Sequence, residues 1–506
     1  MPIINSVFTW FIKKRIHQIE LFMKYPNEVQ EELFEQLIGE AATTEWGKKY
    51  GYKDIETLNQ FRQRVPIQTY DTLKPYIERM LHGEQNVLWP SEIRWFAKSS
   101  GTTSDRSKFI PVSEESLEEC HFKGGKDMLT LYFNNRPNAR IFTGKSLTLG
   151  GSHQVNQLNA DTFFGDLSAV IMKNLPLWAE FYRTPHLDIA LLEDFEEKIE
   201  KMAHATKDVN VTSLSGVPTW NILLFKRILE LKKLDNLLEI WPNVELYFHG
   251  AVNFTPYREQ FRQLIPKDDM YYLETYNASE GFFGIQDQED SGDMLLMLDY
   301  GIFYEFLPLE HLHEENPKTY ALDEVEIGKN YALIISTNAG LWRYLIGDTV
   351  RFTSLAPYRI QITGRTKHFI NAFGEEVIID NAERALEEAC SQTGAVIREY
   401  TAAPVYFNGK SNGAHEWVIE FERPPAEFDR FVDLLDETLR KINSDYDAKR
   451  FRDMALRRPI VHKAPAGTFF NWMKERGKLG GQHKVPRLAN NREYIDPIML
   501  MAELVG

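Results

Sequence analysis

Apolar residues recur along this chain in two periods. Steps of three and four predict helices over residues 28 to 41, 191 to 204, 219 to 234 and 426 to 443, each with one apolar face. Short β-branched or aromatic runs predict strands at Val244 to Phe248, Tyr331 to Ser336, Arg359 to Ile362 and Trp417 to Phe421. The two kinds alternate without a fixed repeat or a low-complexity tract, the pattern of an α/β fold with an α+β appendage. Near the start, Phe8, Ile12, Ile16, Ile19 and Met23 form a helical stripe expected to pack on the protein. Lys13, Lys14 and Arg15 interrupt the apolar run and no small-residue cleavage site follows, so neither a signal peptide nor a spanning helix is expected.

Length adds a division into two. A chain of 506 residues exceeds what one core usually holds, and a boundary is expected near residues 365 to 380. Residues 1–370 then form the large α/β unit. Residues 371–506, with the alternating HEWVIEFE and the amphipathic FDRFVDLLDETLRKI, form a smaller α+β lobe. A net charge of −15 argues against nucleic acid as a partner, because affinity for a phosphate backbone comes from clustered Lys and Arg. Two distant cysteines, Cys120 and Cys390, offer neither a thiolate metal site nor a disulfide framework, which points to the cytoplasm.

Three stretches carry candidate chemistry. KSSGTTSDRSKFIP, residues 98–111, sets Ser and Thr hydroxyls around Gly101, with Lys98, Arg106 and Lys108 beside them. A flexible connector and a cradle for phosphate oxygens both fit that composition, although neither the Walker nor the dinucleotide glycine spacing is present. In YYLETYNASEGFFGIQ, Tyr276 offers a flat face to a base and Glu280 a hard oxygen to Mg2+. Core filler and a solvated charge are the plain alternatives. In STNAGLWRYLIGDTVRF, Asp348 follows Gly347, where a carboxylate can accept from a ribose diol or simply end a turn. HLHEENP holds His311, His313 and Glu314 without the i, i+4 spacing of zinc hydrolases, and reads as a solvated loop.

Taken in order, KSSGTTSDRSKFIP, YNASE, RYLIGD and GRTKHFINAFGE resemble the motifs of the adenylate-forming superfamily. HGAVNFTPYREQF, YLETYNASEGFFG, INSDYDAKR and GTFFNWMKERGKLGGQHKVPRL are closer still to the Gretchen Hagen family of auxin-responsive acyl-acid-amido synthetases, and the resemblance runs from roughly residue 60 to residue 490. It implies a ligase that uses MgATP to activate a small carboxylic acid as an acyl-adenylate, then transfers the acyl group to an amino acid amine. By that resemblance Ser99, Ser100, Gly101, Thr102 and Thr103 hold ATP phosphates, and Gly250 with Ala251 lines the adenine edge. Tyr276 stacks on adenine, Ser279 touches phosphate, Glu280 holds Mg2+, and Asp348 binds ribose with Arg365 nearby. Lys484 is the candidate for the mobile C-terminal lysine, and Val217 is a candidate for the acyl pocket. A monomer acting on small molecules, with no membrane partner, is expected. An acyl-CoA ligase using the same first step, and a silent binding protein that kept the fold, are the alternatives.

Overall fold

Strands buried on both faces must alternate their side chains between two cores, and Leu246–Gly250 does so. Leu246 and Phe248 enter a core built with the N-terminal helices and the antiparallel strands, whereas Tyr247 enters a second core with Leu224, Phe225 and Ile228 of the helix Pro218–Lys232. The computed structural model describes residues 2–99, 108–150, 155–159, 161–175, 177–192, 195–250, 254, 257–289, 291–312, 314–366, 369–370, 375, 377–405, 413–443, 446–447, 450, 456–479, 484–489 and 491–505.

Among the described residues the main sheet has eleven strands. From one edge the order is Ile302–Pro308, Asn330–Thr337, Tyr344–Leu355, Tyr358–Arg365, Met294–Leu296, Gly281–Ile285, Tyr271–Ala278, Leu246–Gly250, Val211–Gly216, Lys145–Leu149 and Arg183–Thr184. The strands from Tyr271–Ala278 to Arg183–Thr184 pair in parallel, and the others pair antiparallel. This is the expected α/β class. The helices found at Pro26–Ala41, Phe195–Thr206, Pro218–Lys232 and Phe428–Ile442 match the predicted ones within a few residues. So do the strands Leu246–Gly250, Asn330–Thr337, Tyr358–Arg365 and Ala414–Arg423.

The C-terminal part has its own sheet of Val396–Val405, Ala414–Arg423 and Ile460–Ala464. Trp417 and Ile419 face the helices Ile379–Thr393 and Phe428–Ile442, while Val418 faces Phe469, Trp472 and Ile498 of the helices Thr468–Glu475 and Ile495–Val505. No helix among the described residues is long and apolar enough to cross a membrane. In the N-terminal helix Pro2–Lys24 the stripe packs inward at Ile19, with Ile16 and Met23 partly buried and Phe22 buried beside them, while the side chain of Phe8 lies outside the described residues. Arg15, expected as a break in the apolar run, instead faces inward. Its guanidinium meets Asp127 and Asp299, each at 2.6 Å, and Tyr300 donates to Asp127. A cation largely withdrawn from water needs such partners, and these tie the helix to the sheet.

Candidate active site

In open parallel sheets ligands bind beyond the carboxyl ends of the strands, and the expected residues gather at those ends. Val211–Gly216 delivers Val217, Leu246–Gly250 ends on Gly250, and Tyr271–Ala278 runs into Ser279 and Glu280. The antiparallel strand Tyr344–Leu355 brings Asp348, whose backbone pairs with that of Arg365. All but Arg365 line one cavity of about 1330 Å³, together with Lys108 and, from the C-terminal part, Lys484. Residues separated by more than two hundred positions therefore share one wall.

Local geometry fixes the shape of this wall. A Cβ on Gly250 would lie 2.6 Å from the Thr275 carbonyl oxygen, so only glycine permits that strand spacing. Tyr276 donates its hydroxyl to Asp348 Oδ2 at 2.8 Å while its ring leans on Phe283, which fixes the carboxylate at the cavity edge. Ser279 Oγ is buried and has no hydrogen-bond partner among the described residues. An orphaned hydroxyl at a cavity wall calls for a polar ligand atom. The hairpin strands Trp95–Ser99 and Lys108–Val112 pair Ser99 opposite Lys108, so the polar loop is held at both ends. Ser100, Gly101, Thr102, Thr103 and Ala251 lie outside the described residues, as do the side chains of Ser99 and Arg365.

Part of the cavity lining is apolar, with Met128, Leu167, Val217, Trp220 and Phe248 on its wall. Gly216 precedes Val217 with φ +139°, and a Cβ there would lie 2.6 Å from the Leu149 carbonyl oxygen. Two half-buried glutamates of the cavity lining face Arg487, Glu399 at 3.2 Å and Glu383 at 3.9 Å. Burial works against the Arg487 charge, but Glu399, Tyr257, Tyr400 and Glu383 outweigh it and raise its pKa. Arg487 also donates to Tyr257 at 2.9 Å, and Lys226 meets Glu422 at 2.7 Å. Both contacts join the C-terminal part to the main sheet's helical layer.

Sequence reasoning missed two groups in this cavity. Glu274 lies in YYLETY, and burial followed by the charge of Glu383 pushes its carboxyl up to about 7. His249, its direct partner on the neighbouring strand, is held down to about 3 by burial and by Arg258, so it stays neutral. A lone glutamate inside an apolar alternation was the available signal. His311 pairs with Glu314 at 2.6 Å on the exposed surface, and His313 lies outside the described residues. Cys120 is buried, with burial pushing its thiol up to about 12.

Comparison with known proteins adds the lineage. Residues 15–270 match the GH3 family N-terminal domain, 295–365 the GH3 family central domain, and 380–493 the GH3 family C-terminal domain. The chain belongs to the GH3 family. Over 96% of its length it is 24% identical to indole-3-acetic acid-amido synthetase GH3.3 of Arabidopsis thaliana, covering 93% of that protein. Its fold is similar to that of a GH3.15 acyl acid amido synthetase, with a TM-score of 0.77 at 17% identity over 96% of this chain and 95% of that one. A 2-hydroxyisobutyryl-CoA ligase in the postadenylation state, in complex with 2-HIB-AMP, is also similar, with a TM-score of 0.60 at 13% identity over 94% and 91% of the two chains. The GH3 family is the Gretchen Hagen family of the sequence resemblance.

Proposed function

We propose that this GH3 chain is an AMP-forming acyl acid amido synthetase, joining a small carboxylic acid to the amine of an amino acid. The observation that carries this reading is the convergence of Tyr276, Ser279, Glu280 and Asp348 with Lys484 on one cavity. In the first step the acid's carboxylate attacks the α-phosphorus of ATP and pyrophosphate leaves. In the second the amine attacks the acyl carbon and AMP leaves.

The residues divide that work. Ser99, Ser100, Gly101, Thr102 and Thr103 cradle phosphate oxygens, and the Ser279 hydroxyl adds a donor. Gly250 and Ala251 line the adenine edge, Tyr276 packs against the base, and Asp348 accepts from the ribose hydroxyls beside Arg365. Val217 and Trp220 receive the body of the acid, since apolar walls suit an apolar ligand. Glu280 would hold Mg2+, which offsets phosphate charge when bound. Lys484 brings a positive charge to the oxygens where negative charge develops. Residues 1–370 act as the adenylation domain and residues 371–506 as a mobile lobe, in a cytoplasmic monomer.

The test is a mass-spectrometric screen of carboxylic acids against amino acids and coenzyme A with MgATP. Amide conjugates and AMP are the expected products. A thioester without amide would favour the CoA ligase, and no AMP with any acid would overturn both.

A further inference from the structure

The proposed reaction needs a neutral amine, yet a free amino acid presents an ammonium at neutral pH. We propose that Glu274 and His249 form the seat of the acceptor amine, with Glu274 as the base that takes a proton from it; this rests on the amido synthetase reading.

Position comes first. Glu274 and His249 are register partners on the parallel strands Tyr271–Ala278 and Leu246–Gly250, and both line the cavity. Side chains of such partners leave the same face of a sheet about 5 Å apart. His249 is only 3% exposed, with its ring stacked on Phe254, and its Nδ1 has no hydrogen-bond partner among the described residues. The Glu274 side chain likewise accepts no hydrogen bond among the described residues, because its strand contacts with Gln286 are all through its backbone. An imidazole whose Nδ1 lacks a partner among the described residues, beside an open carboxylate, matches an N–H donor with positive charge.

Charge around the seat suits proton transfer. Glu383 faces Glu274 from the C-terminal helix Ile379–Thr393, Arg258 faces it from the helix Arg258–Leu264, and His249 and Gln286 flank it on adjacent strands. Burial and Glu383 place its proton affinity near neutrality, where a base works best. The ammonium gives one proton to the Glu274 carboxylate. Its lone pair forms the C–N bond to the acyl carbon, the C–O bond to phosphate breaks, and AMP leaves with that electron pair. The second nitrogen proton passes to solvent as the tetrahedral intermediate collapses, and Glu274 then releases its own.

Hydroxylamine separates base catalysis from everything else, since it is largely neutral at pH 7.5 and needs no base. The acid is the one giving the highest wild-type pyrophosphate exchange. The acceptors are hydroxylamine or an equimolar mixture of the standard amino acids. Glu274→Gln should lower the ratio of amide to hydroxamate formation by about 100-fold or more, and Glu274→Asp should restore part of it. The wild-type ratio should rise with pH up to about 7, and that limb should vanish in Glu274→Gln. His249→Phe, which keeps a ring against Phe254, should raise the amino acid KM about 10-fold while keeping the limb. An unmoved ratio in Glu274→Gln, with wild type making amide, overturns the inference alone. Wild type making hydroxamate but no amide overturns the amido synthetase reading, and the inference with it.

Discussion

Glu274 has a consequence for stability that is independent of catalysis. Burial and Glu383 raise its carboxyl from 4.5 to about 7 in the folded chain. In the unfolded chain it titrates near its ordinary value of about 4.3. Between those values the folded state keeps a proton that the unfolded state loses, so stability falls as pH rises, and the full penalty is present above about 7. Glu274→Gln should therefore be more stable than wild type at pH 8, by at most about 4 kcal/mol, with no difference at pH 4. Equal stability at pH 8 would contradict the assigned environment. At Asp348, replacement by Ala should weaken ATP by about 1.5–3 kcal/mol, the scale of hydrogen bonds to a charged group. Tyr276→Phe, losing only the hydroxyl that fixes Asp348, should cost less, and unchanged ATP affinity in calorimetry for Asp348→Ala would remove it from the site.

At the scale of elements, the strand-to-helix turn at Gly216 is the most demanding joint in the cavity. Its φ of +139° is a region that other residues avoid, and an added Cβ would lie 2.6 Å from a backbone oxygen of Lys145–Leu149. Gly216→Ala should lose about 1–3 kcal/mol in urea unfolding, and a neutral result would show that the turn can relax. Elements of this kind were legible in part. Alternation and helical spacing sufficed for the strand Ala414–Arg423 and the helix Phe428–Ile442 because those patterns are local. Tyr276 and Asp348 were legible as separate candidates through YNASE and RYLIGD. Their hydrogen bond was not, since it depends on pairing across strands far apart in sequence. Glu274 and His249 escaped notice because the facing Glu383 and Arg258 come from other elements. Arg15 was misjudged for the same reason, its carboxylates being Asp127 and Asp299.

The whole molecule closes its cavity with the C-terminal part, through Lys484 on the wall and Arg487 donating to Tyr257. If Lys484 serves the step in which phosphate charge develops, Lys484→Ala should slow acid-dependent pyrophosphate exchange by orders of magnitude. Amide formation from supplied acyl-adenylate should fall far less. Equal loss in both steps would assign Lys484 a general role in binding or folding. The central claim is that the strand-end cavity activates a carboxylic acid as its adenylate. The most direct measurement is exchange of labelled pyrophosphate into ATP by the wild-type protein with and without acid. Exchange that appears only when an acid is present is the predicted result. Acid-independent cleavage of ATP to ADP and phosphate would contradict it.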